Sequence, residues 1–226
     1  MKSIKNAFQN PNSQRIQKLE GLYCEYEGRD KDAEEIYYKI LKENPTNLSV
    51  MKRLVCIYKA KNNYIKAIEE LNKILQIYVT DVATWEELGE LYLLESNYQA
   101  ALFCYEELLI LDSTNSNYHV RVADIYYTLG DYDGFMKARK HYTFSLTLLI
   151  PGLNPRALYG LLSTAKILAK EYYNGKEEGI KKSVLYSKED EAVNKALIEY
   201  ANEEITKNFA TKSLGSVITK ALVTSV

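Results

Sequence analysis

Four adjacent carboxylate pairs, Glu34-Glu35, Glu69-Glu70, Glu86-Glu87 and Glu106-Glu107, come nearest to acid/base chemistry in this chain. An acid/base dyad needs two carboxyl groups aimed at one bond from environments that set their proton affinities apart. Neighbours one residue apart on a helix point about 100° away from each other, so each pair reads as a solvated helix face. Cys24, Cys56 and Cys104 could supply thiolates, but they stand 32 and 48 residues apart with no histidine cluster beside them. A reactive thiolate needs a base or cation close by; all three are expected to be small buried core residues, reduced in an intracellular protein. The only histidines, His119 and His141, fall on different helices with no acid or thiol beside them in a motif. His119 is expected to be a substituted core aromatic, not a catalyst. With no phosphate loop, dinucleotide fingerprint, zinc-protease motif or nucleophile elbow, the sequence predicts no catalytic residue, no cofactor and no metal site.

The charge balance, 29 basic against 30 acidic residues, gives no general attraction to phosphate polymers. No basic stripe is interleaved with aromatics, so nucleic acid is not an expected partner. No stretch approaches the ~18 apolar residues of a membrane span, and Met1 to Gln17 lacks the apolar core of a signal peptide. A soluble, cytosolic-facing chain is expected, with Asn47-Leu48-Ser49 a chance glycosylation acceptor. Hydrophobic content of 46% suffices for a continuous core, and 4 prolines and 10 glycines leave room for long helices. Twenty tyrosines against five phenylalanines and one tryptophan suit helix seams, where the ring packs and the hydroxyl reaches a polar group.

The elements that carry these residues are legible in Val82 to Asn115. Trp85, Leu88, Gly89 and Tyr92 share one helical face, and Ala100, Ala101, Tyr105 and Leu108 share another after a break at Glu95-Ser96-Asn97. This is the tetratricopeptide pattern of large and small residues on a 34-residue period. Stepping by 34 aligns Ala33, Ala67 and Ala101; Tyr37, Leu71 and Tyr105; Ile40, Ile74 and Leu108. On the first helices it aligns Cys24, Tyr58, Tyr92 and Tyr126, and Gly21, Val55, Gly89 and Ala123. The predicted fold is all-α: an α-solenoid of antiparallel helix pairs wound as a right-handed tetratricopeptide superhelix.

Taken in order, residues 1–13 form a polar arm and 14–226 one solenoid. Its repeats lie near 14–47, 48–81, 82–115 and 116–152, followed by atypical C-terminal helices over 154–226. Pro45 ends the first repeat. In the fourth, Gly130 to Gly134 is expected to lengthen the turn by about three residues, so that Ala138, Tyr142 and Ser145 fall on the second helix. Pro151-Gly152 stops that helix. Asn154 then caps a new one with Pro155 at its first position, burying Leu158, Leu161, Ala165 and Leu168. Tyr173 to Ser187 predicts a mobile loop. Lys188 to Phe209 predicts a helix burying Ala192, Ala196, Ile198, Ile205 and Phe209, and Leu214 to Val223 a last short one.

In tetratricopeptide arrays the second, fifth, ninth and twelfth positions of each repeat usually face the concave groove. By that resemblance the first two repeats present Arg15, Lys18, Leu22, Glu25, Ser49, Lys52, Cys56 and Lys59. The next two present Ala83, Glu86, Glu90, Leu93, Asn117, Val120, Asp124 and Tyr127. We take Arg15, Lys18, Leu22, Lys52, Lys59, Glu86, Glu90, Leu93, Asp124 and Tyr127 as the candidate partner-binding set, graded from basic to acidic. Such polarity sets the orientation of a bound segment and its association rate. Reversing Glu86, Glu90 and Asp124 to lysine is expected to release partners and leave helicity intact. Lys18 fits the carboxylate clamp that holds chaperone tails, but Leu22 stands where that clamp has asparagine, and Ala83 and Glu87 replace its basic pair. An acidic chaperone tail is therefore not the expected ligand.

Beyond the generic repeat, four stretches resemble the family of subunit 2 of the endoplasmic reticulum membrane protein complex. They are Arg15–Asn47 (RIQKLEGLYCEYEGRDKDAEEIYYKILKENPTN), Ala67–Gln76 (AIEELNKILQ), Trp85–Leu109 and Arg156–Leu161 (RALYGL); after Tyr172 the likeness fades. The resemblance implies a non-enzymatic scaffold in the cytosolic part of a membrane insertase that places tail-anchored and multipass proteins. It implies contacts with cytosolic segments of membrane subunits and with a soluble partner subunit, and a peripheral place on the cytosolic face of the endoplasmic reticulum. Two other classes stay open. A generic tetratricopeptide adaptor or co-chaperone would recover chaperones in place of membrane subunits, and the repeat domain of an enzyme would need a catalytic domain elsewhere.

Overall fold

The structure is a computed structural model that describes residues 13–148, 154–173 and 188–209. Among them are ten α-helices and no strand. They are α1 (Gln14–Tyr26), α2 (Asp30–Glu43), α3 (Leu48–Ala60), α4 (Tyr64–Ile77), α5 (Val82–Leu94), α6 (Tyr98–Leu111), α7 (Ser116–Leu129), α8 (Tyr132–Leu148), α9 (Pro155–Ile167) and α10 (Lys188–Phe209). A π-helical turn, Leu168–Tyr173, continues α9. The chain forms two compact units, Met1–Cys104 and Tyr105–Val226. The polar arm, apart from Ser13, the Pro151-Gly152 stop, residues 174–187 of the expected loop and the last short helix lie outside the described residues.

The repeat is written in the backbone. Gly28, Asn62, Ser96 and Gly130, each 34 residues after the last, have φ of 74, 54, 58 and 77°. A left-handed residue after a helix turns the chain so that a following N–H can satisfy an orphan carbonyl of the last turn. Arg29 N–H accordingly donates to Cys24 O at 2.8 Å, Asn63 to Tyr58 at 2.9 Å and Asn97 to Tyr92 at 2.8 Å. Glycine adopts this conformation freely and asparagine tolerates it; Ser96 holds it only because the repeat requires it. The next helix then opens on a side-chain cap. Asn63 Oδ1 accepts from Lys66 N, Asn97 Oδ1 from Ala100 N and Asp131 Oδ1 from Gly134 N, at 3.3, 3.2 and 3.1 Å.

Within the first unit, Ala33 and Ala67 are fully buried, and so are Tyr37, Leu71, Ile40 and Ile74. Ala101 opens the same face of α6. Gly21 leaves room for the Tyr37 ring, which a side chain there would displace. Close approach at the small residue and filling by the large one is the packing the period demands. In the second unit, Val120, Ala123, Ala138, Tyr142, Leu146, Leu158, Leu161, Ala201 and Ile205 form one core across α7, α8, α9 and α10. Asn154 caps α9, accepting from Arg156 N and Ala157 N at 3.1 and 3.4 Å, and Pro155 takes its first position. Leu158, Leu161, Ala165 and Leu168 are buried, as expected.

Several expectations are corrected. The fourth repeat does not stretch its turn: only Gly130 and Asp131 separate α7 from α8, and Asp131 caps in register. The surplus lengthens α8 itself, 17 residues against 14 in α6, moving the buried alanine one helical turn along to Ala138. Tyr173 ends the π turn and is not loop. On α10, Ala192 and Ala196 are exposed and Ile198 only half-buried; the packed face runs through Asn194, Ala201 and Ile205. Asn194 sets that rotation, because its Oδ1 accepts from Arg139 at 3.0 Å and its Nδ2 donates to Ala165 O at 2.8 Å. A buried amide with both ends satisfied holds a helix where apolar periodicity alone would have placed alanines.

Candidate protein-binding surface

Lysines on α1 and α3 each reach forward to a first helix or its cap. Lys18 Nζ donates to Ser49 Oγ at 2.6 Å. Lys52 pairs with Asp81, the N-cap of α5, at 2.7 Å, and Lys59 with Glu87 at 2.5 Å. Burial alone would raise the Asp81 carboxyl, but hydrogen bonds from Lys52 and Thr84 outweigh it and hold it below the usual carboxylate range. Three of the four basic candidates, Lys18, Lys52 and Lys59, are thus engaged within the first unit. Arg15, Glu86 and Glu90 are exposed, and Leu22 and Leu93 are half-buried. Glu25 is tied inward, accepting from Tyr37 at 2.5 Å and forming an ion pair with Arg53.

In the second unit the two candidates are structural as well as accessible. Asp124 accepts from Tyr142 Oη at 2.6 Å and pairs with Arg156 at 2.6 Å. Tyr127 packs edge-on against Phe135, ring centroids 5.6 Å apart. Reversing Asp124 would therefore break a partly buried charge network, so the expectation that a triple reversal leaves the fold intact is withdrawn for that residue. Glu86 and Glu90, both exposed, are kept for the test.

Glu70 departs from the solvated-face expectation. It is 5% exposed and accepts from Tyr38 at 3.2 Å and Lys73 at 2.8 Å. Cys56 departs from the buried-core one: it is exposed, while Cys24 and Cys104 are buried. Burial, more than the opposing pull of Arg29, raises the Cys24 thiol above its ordinary value. In native protein a maleimide should modify one thiol, Cys56, and the other two only after denaturation, as intact mass would record. Fast labelling of all three would contradict the packing.

Two arrangements carry no sequence motif. In the first, His119 takes the place of Trp85 to the atom. Trp85 Nε1 donates to Val79 O at 2.7 Å; 34 residues on, His119 Nε2 meets Ser113 O at 3.0 Å. A carbonyl only accepts, so His119 carries its proton on Nε2 and offers Nδ1 as acceptor. His141 donates to it, Nδ1 to Nδ1 at 3.0 Å, with its ring beside those of His119 and Tyr126. The period could have placed His119; nothing in the spacing signals His141, because the lengthened α8 breaks the register. The second arrangement is a hollow of about 520 Å³ in the first unit, lined from α4, α5 and α6 and containing Trp85 and Phe103. Their rings meet edge to face at 5.9 Å.

No cluster of three or more histidine, cysteine or acidic side chains that could hold a metal occurs among the described residues.

A family model described as the EMC2 TPR-like repeat domain matches residues 5–141. The chain is 40% identical over 153 residues to ER membrane protein complex subunit 2 of Xenopus tropicalis, covering 68% of this chain and 51% of that one. To the Dictyostelium discoideum protein of the same name it is 32% identical over 187 residues, 79% of this chain and 58% of that one. The chain thus spans about half the length of the curated relatives it matches. Among solved structures, the C-terminal part of a TPR repeat-containing protein from Cytophaga hutchinsonii aligns with a TM-score of 0.66 at 16% identity, covering 95% of this chain and 78% of that one. A MamA crystal structure aligns at 0.55 and 18%, covering 86% and 94%. At such identities these two likenesses speak for the fold alone.

Proposed function

The chain belongs to the family of the tetratricopeptide-like repeat domain of ER membrane protein complex subunit 2, and from that membership we propose that it is a non-enzymatic scaffold within such a complex. The observation that carries this is the family match over residues 5–141, which takes in the first three helix pairs and most of the fourth. In this role the repeats form one solenoid that grips cytosolic segments of membrane subunits and, beside them, a soluble partner subunit. The complex would insert tail-anchored and multipass proteins, with this chain peripheral on its cytosolic side. No described helix is long and apolar enough to cross a membrane, which agrees with attachment through partners.

For the groove we retain Arg15, Lys18, Leu22, Lys52, Lys59, Glu86, Glu90, Leu93, Asp124 and Tyr127 as the proposed contact set. Glu86 and Glu90 lead it, because both are exposed. The test is affinity purification of the tagged full-length protein from its own cells in mild detergent. The Glu86→Lys/Glu90→Lys protein should keep its helical circular dichroism and lose co-purifying membrane subunits at least fivefold. Undiminished recovery would remove these carboxylates from the mechanism; recovery of chaperones in place of membrane subunits would favour a generic adaptor.

A further inference from the structure

The hollow lined from α4, α5 and α6 shares no residue with the proposed groove set. Glu86 and Glu90 stand two residues either side of Leu88, which lines the hollow, and so lie about 160° around α5 from it. Its walls are Leu75, Trp85, Leu88 and Phe103, with the amides of Asn72 and Gln76 along the α4 side. Phe103 is 55% exposed and rests its ring against Trp85. Exposed aromatic surface beside a few amides is what an anchor pocket for a bulky apolar side chain presents.

Of the seven carboxylates between Glu69 and Cys104, Glu70, Asp81 and Glu87 are paired with Lys73, Lys52 and Lys59, and Glu86 and Glu90 lie on the far side of α5; Glu69 and Glu95 are the other two. Lys73 is tied to Glu70 at 2.8 Å, while Lys66, just before this stretch, lies over the Tyr58 ring at 5.5 Å. Two of the carboxylates belong to the hollow by helical register. Glu69 precedes Asn72 by three residues on α4, and Glu95 follows Tyr92 by three at the end of α5; both are exposed. Because α4 and α5 are joined by a tight turn and run antiparallel, the start of one lies beside the end of the other. Glu69, the sixth of the fourteen residues of α4, and Glu95, just past the end of α5, therefore both lie on the side of the hollow away from that turn.

We propose that this hollow docks the bulky apolar side chain of a basic amphipathic segment of another protein, with a lysine or arginine about one turn away meeting Glu69 and Glu95. The apolar anchor supplies most of the affinity, and the carboxylates select a cationic segment over an anionic one. This is a second binding surface, separate from the groove.

Trp85 is the only tryptophan in the chain, so its emission reports from the hollow itself. The 226-residue chain is titrated with a tryptophan-free amphipathic peptide carrying leucine and phenylalanine on one face and lysines on the other. A counterpart with glutamates for lysines is run beside it. A saturable shift in Trp85 emission is expected with the lysine peptide. It should be at least tenfold weaker with the glutamate peptide, at 0.5 M salt, with Phe103→Ser, and with Glu69→Lys/Glu95→Lys. Phe103 is largely in solvent, so its replacement should leave helicity unchanged, as circular dichroism would record. Glu86→Lys/Glu90→Lys should leave the titration unchanged. The proposal is overturned by no saturable shift, by equal response to both peptides, or by a response that survives Phe103→Ser. It is also overturned if Glu86→Lys/Glu90→Lys abolishes the response, which would place the peptide in the groove. Phe103-dependent dimerisation in sedimentation would give the hollow to a second copy and overturn it too.

Discussion

Replacing Tyr142 by alanine lowers the unfolding free energy by about 3–5 kcal/mol, the range for deleting a buried aromatic that leaves a cavity. Its side chain is 2% exposed, and its ring fills the space left open by Gly160 on α9. Its hydroxyl donates to Asp124 on α7, which also pairs with Arg156 on α9. One residue of α8 thereby joins three helices through both packing and charge. Burial, and then the hydrogen bond to Asp124, raise the phenol above its ordinary tyrosine value, so it remains a donor at any pH at which the fold persists. Tyr142→Phe keeps the ring and removes only the donor, and Asp124 retains Arg156; its cost should be about 0.5–1.5 kcal/mol. Urea titrations followed by circular dichroism separate the two substitutions. Equal losses would mean that the hydroxyl, not the ring, holds α7, α8 and α9 together, and a loss below ~1 kcal/mol for alanine would contradict the packing altogether.

What could be read from the sequence was whatever repeats. Ala33, Ala67 and Ala101, and the large residues four and seven positions after them, are set by the distance between helix axes, so the same residue sizes recur on one period and the alignment exposes them. Features peculiar to one repeat leave no such column. Asn194 turns α10 by bonding Arg139 and a backbone carbonyl, and a polar residue among alanines gives periodicity nothing to detect. Glu70 is buried because Tyr38 and Lys73 serve its carboxylate, and those partners lie on another helix and on the next turn of its own. Asp124 was legible as a surface acid by register, but its ties to Tyr142 and Arg156 depend on the extra turn in α8. The Trp85–Phe103 hollow was missed for a related reason: Trp85 was recognised as a core filler, and the exposure of Phe103 depends on how α6 sits over α5.

Acidification should weaken the fold through His141. Its imidazole is pushed down to about 4, first by burial and then by the neighbouring His119. The unfolded chain takes up that proton near the ordinary histidine value of about 6.5. Between those two values the unfolded state binds more protons than the native one, so stability falls as pH falls. The loss begins near pH 6.5, deepens towards pH 4 and then levels off. From pH 7.5 to pH 5 it amounts to about 2 kcal/mol for this one group. Geometry gives the burial a second cost. His119 already directs its Nε2 proton at Ser113 O, so the shared Nδ1–Nδ1 contact holds one proton, donated by His141. A proton added to His141 must go on Nε2, in a pocket bounded by the Tyr126 and His119 rings. Two charged groups bear on Tyr126: Lys137 lies over its ring and Glu106 accepts from its hydroxyl. In His141→Phe the ring packing is kept and the titration removed. Its unfolding free energy should change by about 2 kcal/mol less over the same pH interval than that of the unaltered protein. Parallel pH profiles for the two proteins would show that His141 is protonated as readily folded as unfolded, and that the histidine pair opens to water in the native state.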